Sequence, residues 1–260
     1  MITSTANPQV KNLQQLMKKS SVRREQGVFL AEGVKMLLEA PPERIRKIYV
    51  SKSLYEEKGQ AFFPHADLEI LDDRVYRAVS DTKTPQGVLC LIERFSYTLT
   101  DFTRKANPFL IILENLQDPG NLGTIIRTAE GAGADGVILS NDSVDIYNPK
   151  TIRATMGSVY RVPFLYADDL KEVLSDLKER GIRSYAAHLG GTCGYDEADY
   201  RRGCAFLIGN EGNGLTAGLS ACADTLIHIP MHGKLESLNA SVAAAILMYE
   251  ACHQRSTRPT

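Results

Sequence analysis

Phe206-Leu-Ile-Gly-Asn-Glu-Gly-Asn-Gly-Leu215, followed by Ile229-Pro-Met231 and then Glu236-Ser-Leu-Asn239, is the stretch on which the fold turns. An apolar strand runs into a glycine-rich turn, a second strand ends at a proline, and a polar tripeptide opens a helix. Turns of this kind expose backbone N–H and C=O groups, because glycine tolerates φ > 0 and carries no side chain to block a ligand.

Working outward, the region from residue 109 repeats strand then helix. Phe109-Leu-Ile-Ile-Leu113 reads as a strand buried on both faces, which favours a parallel sheet. A helix is expected over 121–132, with Leu122, Ile125, Ile126 and Ala129 on one stripe and Arg127 and Glu130 off it. Strands are expected over 136–140, 184–188, 204–208 and 225–229, and helices over 149–155, 168–180 and 240–253. Upstream, a helix over 8–21, a helix starting at Glu32 and stopping at Pro41-Pro42, and strands over 45–51, 67–71 and 88–92 imply a smaller α/β module. The expected organisation is therefore a first domain over 1–95, a linker over 96–108 and a second domain over 109–260.

Composition admits a protein with ample core and excludes several classes. Of 260 residues, 43% are apolar and 23% charged, in the ordinary globular range. The longest strongly apolar run, Val242 to Tyr249, is far shorter than the roughly 20 residues of a membrane span. The amino end has neither a basic start nor an apolar stretch, so a cytoplasmic protein is expected. Five cysteines with no CxxC pair read as plain buried thiols, not as a zinc site or a disulfide framework. The net charge is −1, yet residues 1–24 carry Lys11, Lys18, Lys19, Arg23 and Arg24 with no acid. Attraction to a polyanion is expected there, against the alternative of an ordinary solvated basic helix.

Gly131-Ala-Gly-Ala-Asp-Gly136 matches G-x-G-x-x-G letter for letter. A dinucleotide fingerprint must follow a strand and open a helix. These glycines end a helix and feed a strand, so a helix C-cap and tight turn is the better reading. Other polar residues stand at strand ends, where open parallel sheets place ligands. Asn121 follows Pro119-Gly120 at a helix start, His188 ends a strand, Glu211 sits between glycines, and Ser237 and Asn239 flank the last helix. Taken singly, each has a bland alternative as a cap, a surface group or a satisfied structural residue.

Taken together, blocks 114–127, 148–163, 206–215 and 229–242 resemble, in order and spacing, the motif regions of the SpoU family of RNA ribose 2′-O-methyltransferases, of the SPOUT class. Ser4-x-x-Asn7-Pro-x-Val-Lys11, Gly27-x-Phe29 and Ala31-Glu-Gly-Val-Lys35 look like the substrate-binding domain attached ahead of many members. The resemblance implies a parallel α/β fold with a deep trefoil knot and a homodimer whose paired domains build each active site. It also implies S-adenosylmethionine as cofactor, with no metal. Gly209, Ile229 and Leu238 would form the cofactor pocket, bordered by Asn210, Met231 and the Ala187–His188 loop. Arg127 would position the acceptor ribose and stabilise developing oxyanion character, since arginine is protonated up to a pKa above about 12. Asn121, Ser237 and Asn239 would orient ribose and Arg127, and Glu211 would fix the loop or hold that guanidinium. Lys11, Lys18, Lys19, Arg23 and Arg24 would contact RNA phosphates. The amino-terminal domain favours 23S ribosomal RNA as substrate; transfer RNA, an antibiotic-resistance role on the same molecule, or a non-catalytic RNA-binding protein are the alternatives. The apolar helix 242–249 fits either a dimer contact or burial within one subunit.

Overall fold

A computed structural model describes residues 1–63 and 67–256. The chain divides into two compact units. One comprises Met1–Phe95 with Asp145–Tyr160; the other comprises Ser96–Val144 with the chain from Arg161 onward.

The first unit is built on a four-stranded sheet in the order Val28–Glu32, Val88–Glu93, Ile45–Ser51, Leu68–Leu71. Val88–Glu93 pairs antiparallel with both of its neighbours, and Leu68–Leu71 pairs parallel with Ile45–Ser51. Strand Val28–Glu32 was absent from the sequence reading, which placed Glu32 at a helix start. All five of its residues are buried, and the acidic Glu32 at its end, followed by Gly33 and further apolar residues, resembles a helix start. Gly33 then turns the chain at φ +117, and the helix begins at Val34. The expected single helix over 8–21 is two, Pro8–Lys18 and Ser20–Gln26, broken at Lys19, whose backbone is extended. With the break, Arg23 turns back so that Nη1 donates to the carbonyls of Leu16 at 2.6 Å and Met17 at 3.4 Å, at the end of the first helix.

The second unit carries a seven-stranded sheet in which every pairing is parallel. Its order is Phe164–Ala167, Gly136–Ser140, Phe109–Leu113, Cys204–Ile208, Arg183–Ala187, Thr225–His228, Cys193–Gly194. The sheet, carrying central strands buried at every residue, establishes the α/β parallel architecture. Phe164–Ala167 was also missed, a four-residue edge strand with one buried residue. From Phe109–Leu113 the chain winds outward one way to Phe164–Ala167, then crosses to the other side of Cys204–Ile208. Ligand crevices form at the carboxyl ends of strands beside such a reversal. The sequence Gly131–Gly136 does what its polarity required: Gly133 closes the helix Pro119–Ala132 in the left-handed region at φ 75, and Gly136 starts a strand.

No helix among the described residues is long and apolar enough to cross a membrane. The five cysteines are free thiols, but only Cys90 and Cys204 are buried and Cys222 is exposed, a correction to the uniformly buried expectation.

Candidate active site

Three adjacent strands, Cys204–Ile208, Arg183–Ala187 and Thr225–His228, deliver their following loops to one end of the second unit. Those loops enclose a cavity of about 710 Å³, within the roughly 300–1,000 Å³ span of small-molecule sites. All seven residues expected at a cofactor line it: Ala187, His188, Gly209, Asn210, Ile229, Met231 and Leu238. The loops come together because Asn210 and Gly214 exchange backbone hydrogen bonds at 3.0 and 2.9 Å. A Cβ on Gly209 would stand 2.1 Å from the Gly214 carbonyl carbon, so this wall requires glycine. Asn210 Oδ1 accepts from the N–H groups of Gly212 and Asn213, and its Nδ2 donates to the Asn115 carbonyl. Asn210 therefore shapes the wall, and its side-chain amide is occupied by the turn. His188 Nδ1 accepts from Gly190 N–H at 3.0 Å, which leaves Nε2 open.

The opposite wall is different in kind. From Ile229 to Leu238 the chain forms no hydrogen bond with any described residue. Ile229, Met231, Leu235, Glu236, Ser237 and Leu238 of this segment line the cavity together with apolar Ile208, Leu215 and Ile227. A flat heteroaromatic group with polar edges matches such a lining.

Beside the cavity stands a hydrogen-bonded constellation. Asn239 Nδ2 donates to Asn121 Oδ1 at 3.0 Å, and Asn121 Nδ2 donates to Glu211 Oε1 at 3.0 Å. Glu211 also accepts from the backbone N–H of Asp118 at 2.9 Å and of Gln117 at 3.1 Å. Burial works to raise its pKa, but the bonds from Asn121, Asp118 and Gln117 outweigh it and hold the carboxyl below the usual glutamate range. Asn121 is not the helix cap. The helix begins earlier, at Pro119, and Asp118 caps it by accepting from Asn121 N–H at 2.8 Å. The Asn121 side chain is thereby left for the site. Asn239 does both jobs, its Oδ1 accepting from the N–H and hydroxyl of Ser241 at the head of the last helix. Ser237 lines the cavity without a hydrogen bond.

Arg127 does not join this group within one chain. It lies six positions beyond Asn121 on Pro119–Ala132, which places it about 9 Å along the axis and roughly 120° around it. Arg127 is exposed and has no partner among the described residues. Within one chain Glu211 makes no ion pair with Arg127, its carboxylate bonding instead to Asn121 and to the backbone N–H groups of Gln117 and Asp118. Gly131, one turn on and also exposed, has the Tyr249 hydroxyl over it, 3.1 Å from where a Cβ would stand.

In the first unit Lys11, Lys18, Lys19 and Arg24 are exposed and unpaired. Arg23 is a correction. It is 3% exposed, and Nε and Nη2 bind Asp145 Oδ2 at 3.0 and 2.6 Å, so no phosphate reaches it. The described residues contain no cluster able to hold a metal ion.

Sequence reasoning missed His228, Leu235 and Glu236 as lining residues. The signal for Glu236 was its place directly ahead of Ser237.

Comparison with known proteins matches residues 108–249 to the SpoU rRNA Methylase family and residues 7–90 to an MRM3-like substrate binding domain. A Bacillus subtilis 23S rRNA (guanosine(2553)-2′-O)-methyltransferase, RlmP, is 34% identical over 95% of this chain and 97% of its own length. The crystal structure of an AdoMet-bound rRNA methyltransferase from Sinorhizobium meliloti superposes with a TM-score of 0.85 at 31% identity, over 98% of both chains. An A. aeolicus TrmH/SpoU tRNA modifying enzyme gives a TM-score of 0.52 at 28% identity, over 59% of this chain and 77% of that one.

Proposed function

The chain belongs to the SpoU rRNA methylase family, and from that premise we propose that it methylates a ribose 2′-hydroxyl of 23S ribosomal RNA, with S-adenosylmethionine as donor. The observation that carries the reading is the juxtaposition of the glycine-walled cavity with the Asn239–Asn121–Glu211 constellation. A donor site and a polar acceptor site share one edge.

The chain's own residues fit the donor. Apolar Ile208, Leu215 and Leu238 offer walls for an adenine ring, and the unpaired backbone of 229–238 offers its polar edges their partners. When bound, S-adenosylmethionine supplies a methyl carbon already activated by positive sulfur, so the protein's task is alignment. Asn121 and Asn239, locked to each other and to Glu211, are held to orient the acceptor sugar with little loss of side-chain freedom on binding. Arg127 stabilises negative charge developing on the 2′-oxygen. The trefoil knot implied by the family belongs to this proposal.

A homodimer completes the site. Val242 and Tyr249 are 47% and 54% exposed on the last helix, with Ile246 between them at i+4. A large apolar stripe left open in this way favours a partner surface. Tyr249 adjoins the helix turn that carries Arg127, so a second subunit seated there receives that guanidinium.

Ribosomal RNA is favoured over transfer RNA because likeness to the rRNA methyltransferases spans both units, whereas the tRNA-modifying neighbour covers 59% of the chain. Such a substrate places the protein in the cytoplasm. Calorimetry with S-adenosylmethionine, followed by transfer of labelled methyl to total RNA, tests the reading. Binding without transfer favours a non-catalytic RNA-binding role, and no binding defeats the proposal.

A further inference from the structure

The carboxylates and cations that line the cavity are of one sign, Lys234 on the same segment lying outside the lining. Its lining contains Glu211 and Glu236 and neither lysine nor arginine. The Glu211 carboxylate is committed to Asn121 and to the backbone of Gln117 and Asp118. Glu236 is not. It is exposed, belongs to the segment without hydrogen bonds, and has no ion-pair partner among the described residues. Its position is also particular. Three residues on, Asn239 is tied to Asn121, so Glu236 rides on the stretch that joins the cavity to the acceptor constellation. A methyl group in transit must face that boundary.

We propose that Glu236 is a specificity-determining residue that selects the positively charged methyl donor over its neutral thioether product. This rests on the cofactor reading given above and extends it. At neutral pH S-adenosylmethionine carries a net charge of about +1 and S-adenosylhomocysteine about zero, given a carboxylate, an ammonium and, in the donor alone, a sulfonium. Loss of the methyl group therefore removes both a small volume and a whole charge. A pocket of apolar walls and backbone amides reads mainly shape, and both molecules share nearly the same shape. An unpaired carboxylate reads the charge. In a half-open, partly screened site such a contact is worth roughly threefold to tenfold in affinity. The consequence for turnover is release, since the product loses the attraction that held the donor.

The test is calorimetric binding of three ligands to the full chain and to its Glu236→Gln variant, at low and high salt. The ligands are S-adenosylmethionine, S-adenosylhomocysteine, and sinefungin, whose amine places positive charge near the sulfonium position. In the variant, affinity for the two charged ligands is expected to fall about threefold to tenfold, with S-adenosylhomocysteine changed by less than about twofold. The salt dependence of charged-ligand binding should shrink in parallel. Equal weakening of all three ligands, which a structural role would give, overturns the proposal, as does no change in any. If the unaltered protein binds no S-adenosylmethionine, the cofactor reading falls and this inference with it. Donor binding with an unchanged donor-to-product ratio overturns this inference alone.

Discussion

Asn121 donates from Nδ2 to Glu211 Oε1 at 3.0 Å, joining two loops 90 residues apart in sequence. That bond ties the helix after the first strand of the large sheet to the glycine-rich turn after Cys204–Ile208. Through Asn239 it extends to the start of the last helix. The candidate acceptor site is thus assembled from three strand-end regions whose closeness follows from the parallel sheet order.

The Glu211 carboxylate is held below its usual pKa of 4.5, and the sign of the linkage follows. A group with a depressed folded pKa contributes stability above its unfolded value, and that stability is lost as pH falls through the folded value. Acid titration of thermal stability should therefore show the unaltered protein losing more below about pH 4.5 than a Glu211→Gln variant does. Parallel curves would remove the carboxylate from the account of loop closure.

Arg127→Ala is expected to abolish methyl transfer while leaving cofactor affinity nearly intact. More than about a tenth of wild-type turnover remaining, equivalent to a loss of less than roughly 1.4 kcal/mol, would take Arg127 out of catalysis. Mixed dimers locate its action. Co-refolding Arg127→Ala chains with Leu238→Arg chains, whose cavity is filled, should restore about a quarter of wild-type activity, since half the dimers regain one site in two. Background activity from the mixture would place Arg127 in the site of its own subunit.

Gly209→Ala forces a Cβ to within 2.1 Å of the Gly214 carbonyl carbon, and a backbone neighbour cannot move aside cheaply. Calorimetric melting should show a stability loss of about 1–3 kcal/mol, and addition of S-adenosylmethionine should no longer raise the midpoint. A variant that melts normally and still responds to the ligand would contradict the assignment of this wall.

Arg23 and its basic neighbours should separate cleanly. Arg23→Ala leaves Asp145 without its partner and two helix-end carbonyls without a donor, so about 2–4 kcal/mol of stability should be lost. Lys18→Ala, Lys19→Ala and Arg24→Ala should leave stability unchanged within about 0.5 kcal/mol. Each should instead lower the slope of log affinity for RNA against log salt by about 0.7. An unaltered slope across the three would move RNA binding off these helices.

How much of this was legible in the sequence depended on local pattern. Phe109–Leu113 and Cys204–Ile208 are unbroken apolar runs between turn residues, and the structure has them as adjacent buried strands. The reversed polarity of Gly131–Gly136 was sufficient to reject a dinucleotide site. Val28–Glu32 was missed because its apolar run ends in Glu32, which with the apolar residues after Gly33 reads as a helix start, and Phe164–Ala167 because four residues at a sheet edge are too few to show a period. The site was legible as residue types but not as connections. That Asp118, directly ahead of Pro119, caps the helix and frees the Asn121 side chain is a local feature that the reading overlooked. That Arg23 is withdrawn by Asp145, 122 positions away, depends on a tertiary partner. Arg127 was legible only through family resemblance, since its exposed position on the helix satisfies no rule within one chain.

The central claim is methyl transfer to a ribose oxygen, and the most direct measurement is the position of the transferred carbon. Ribosomal RNA incubated with the protein and methyl-tritiated S-adenosylmethionine should carry its label in a 2′-O-methyl nucleoside after complete enzymatic digestion, and in an alkali-resistant dinucleotide when a parallel sample is hydrolysed with alkali. Label on a base, or no label in ribosomal RNA while the protein demonstrably binds the donor, would contradict the account.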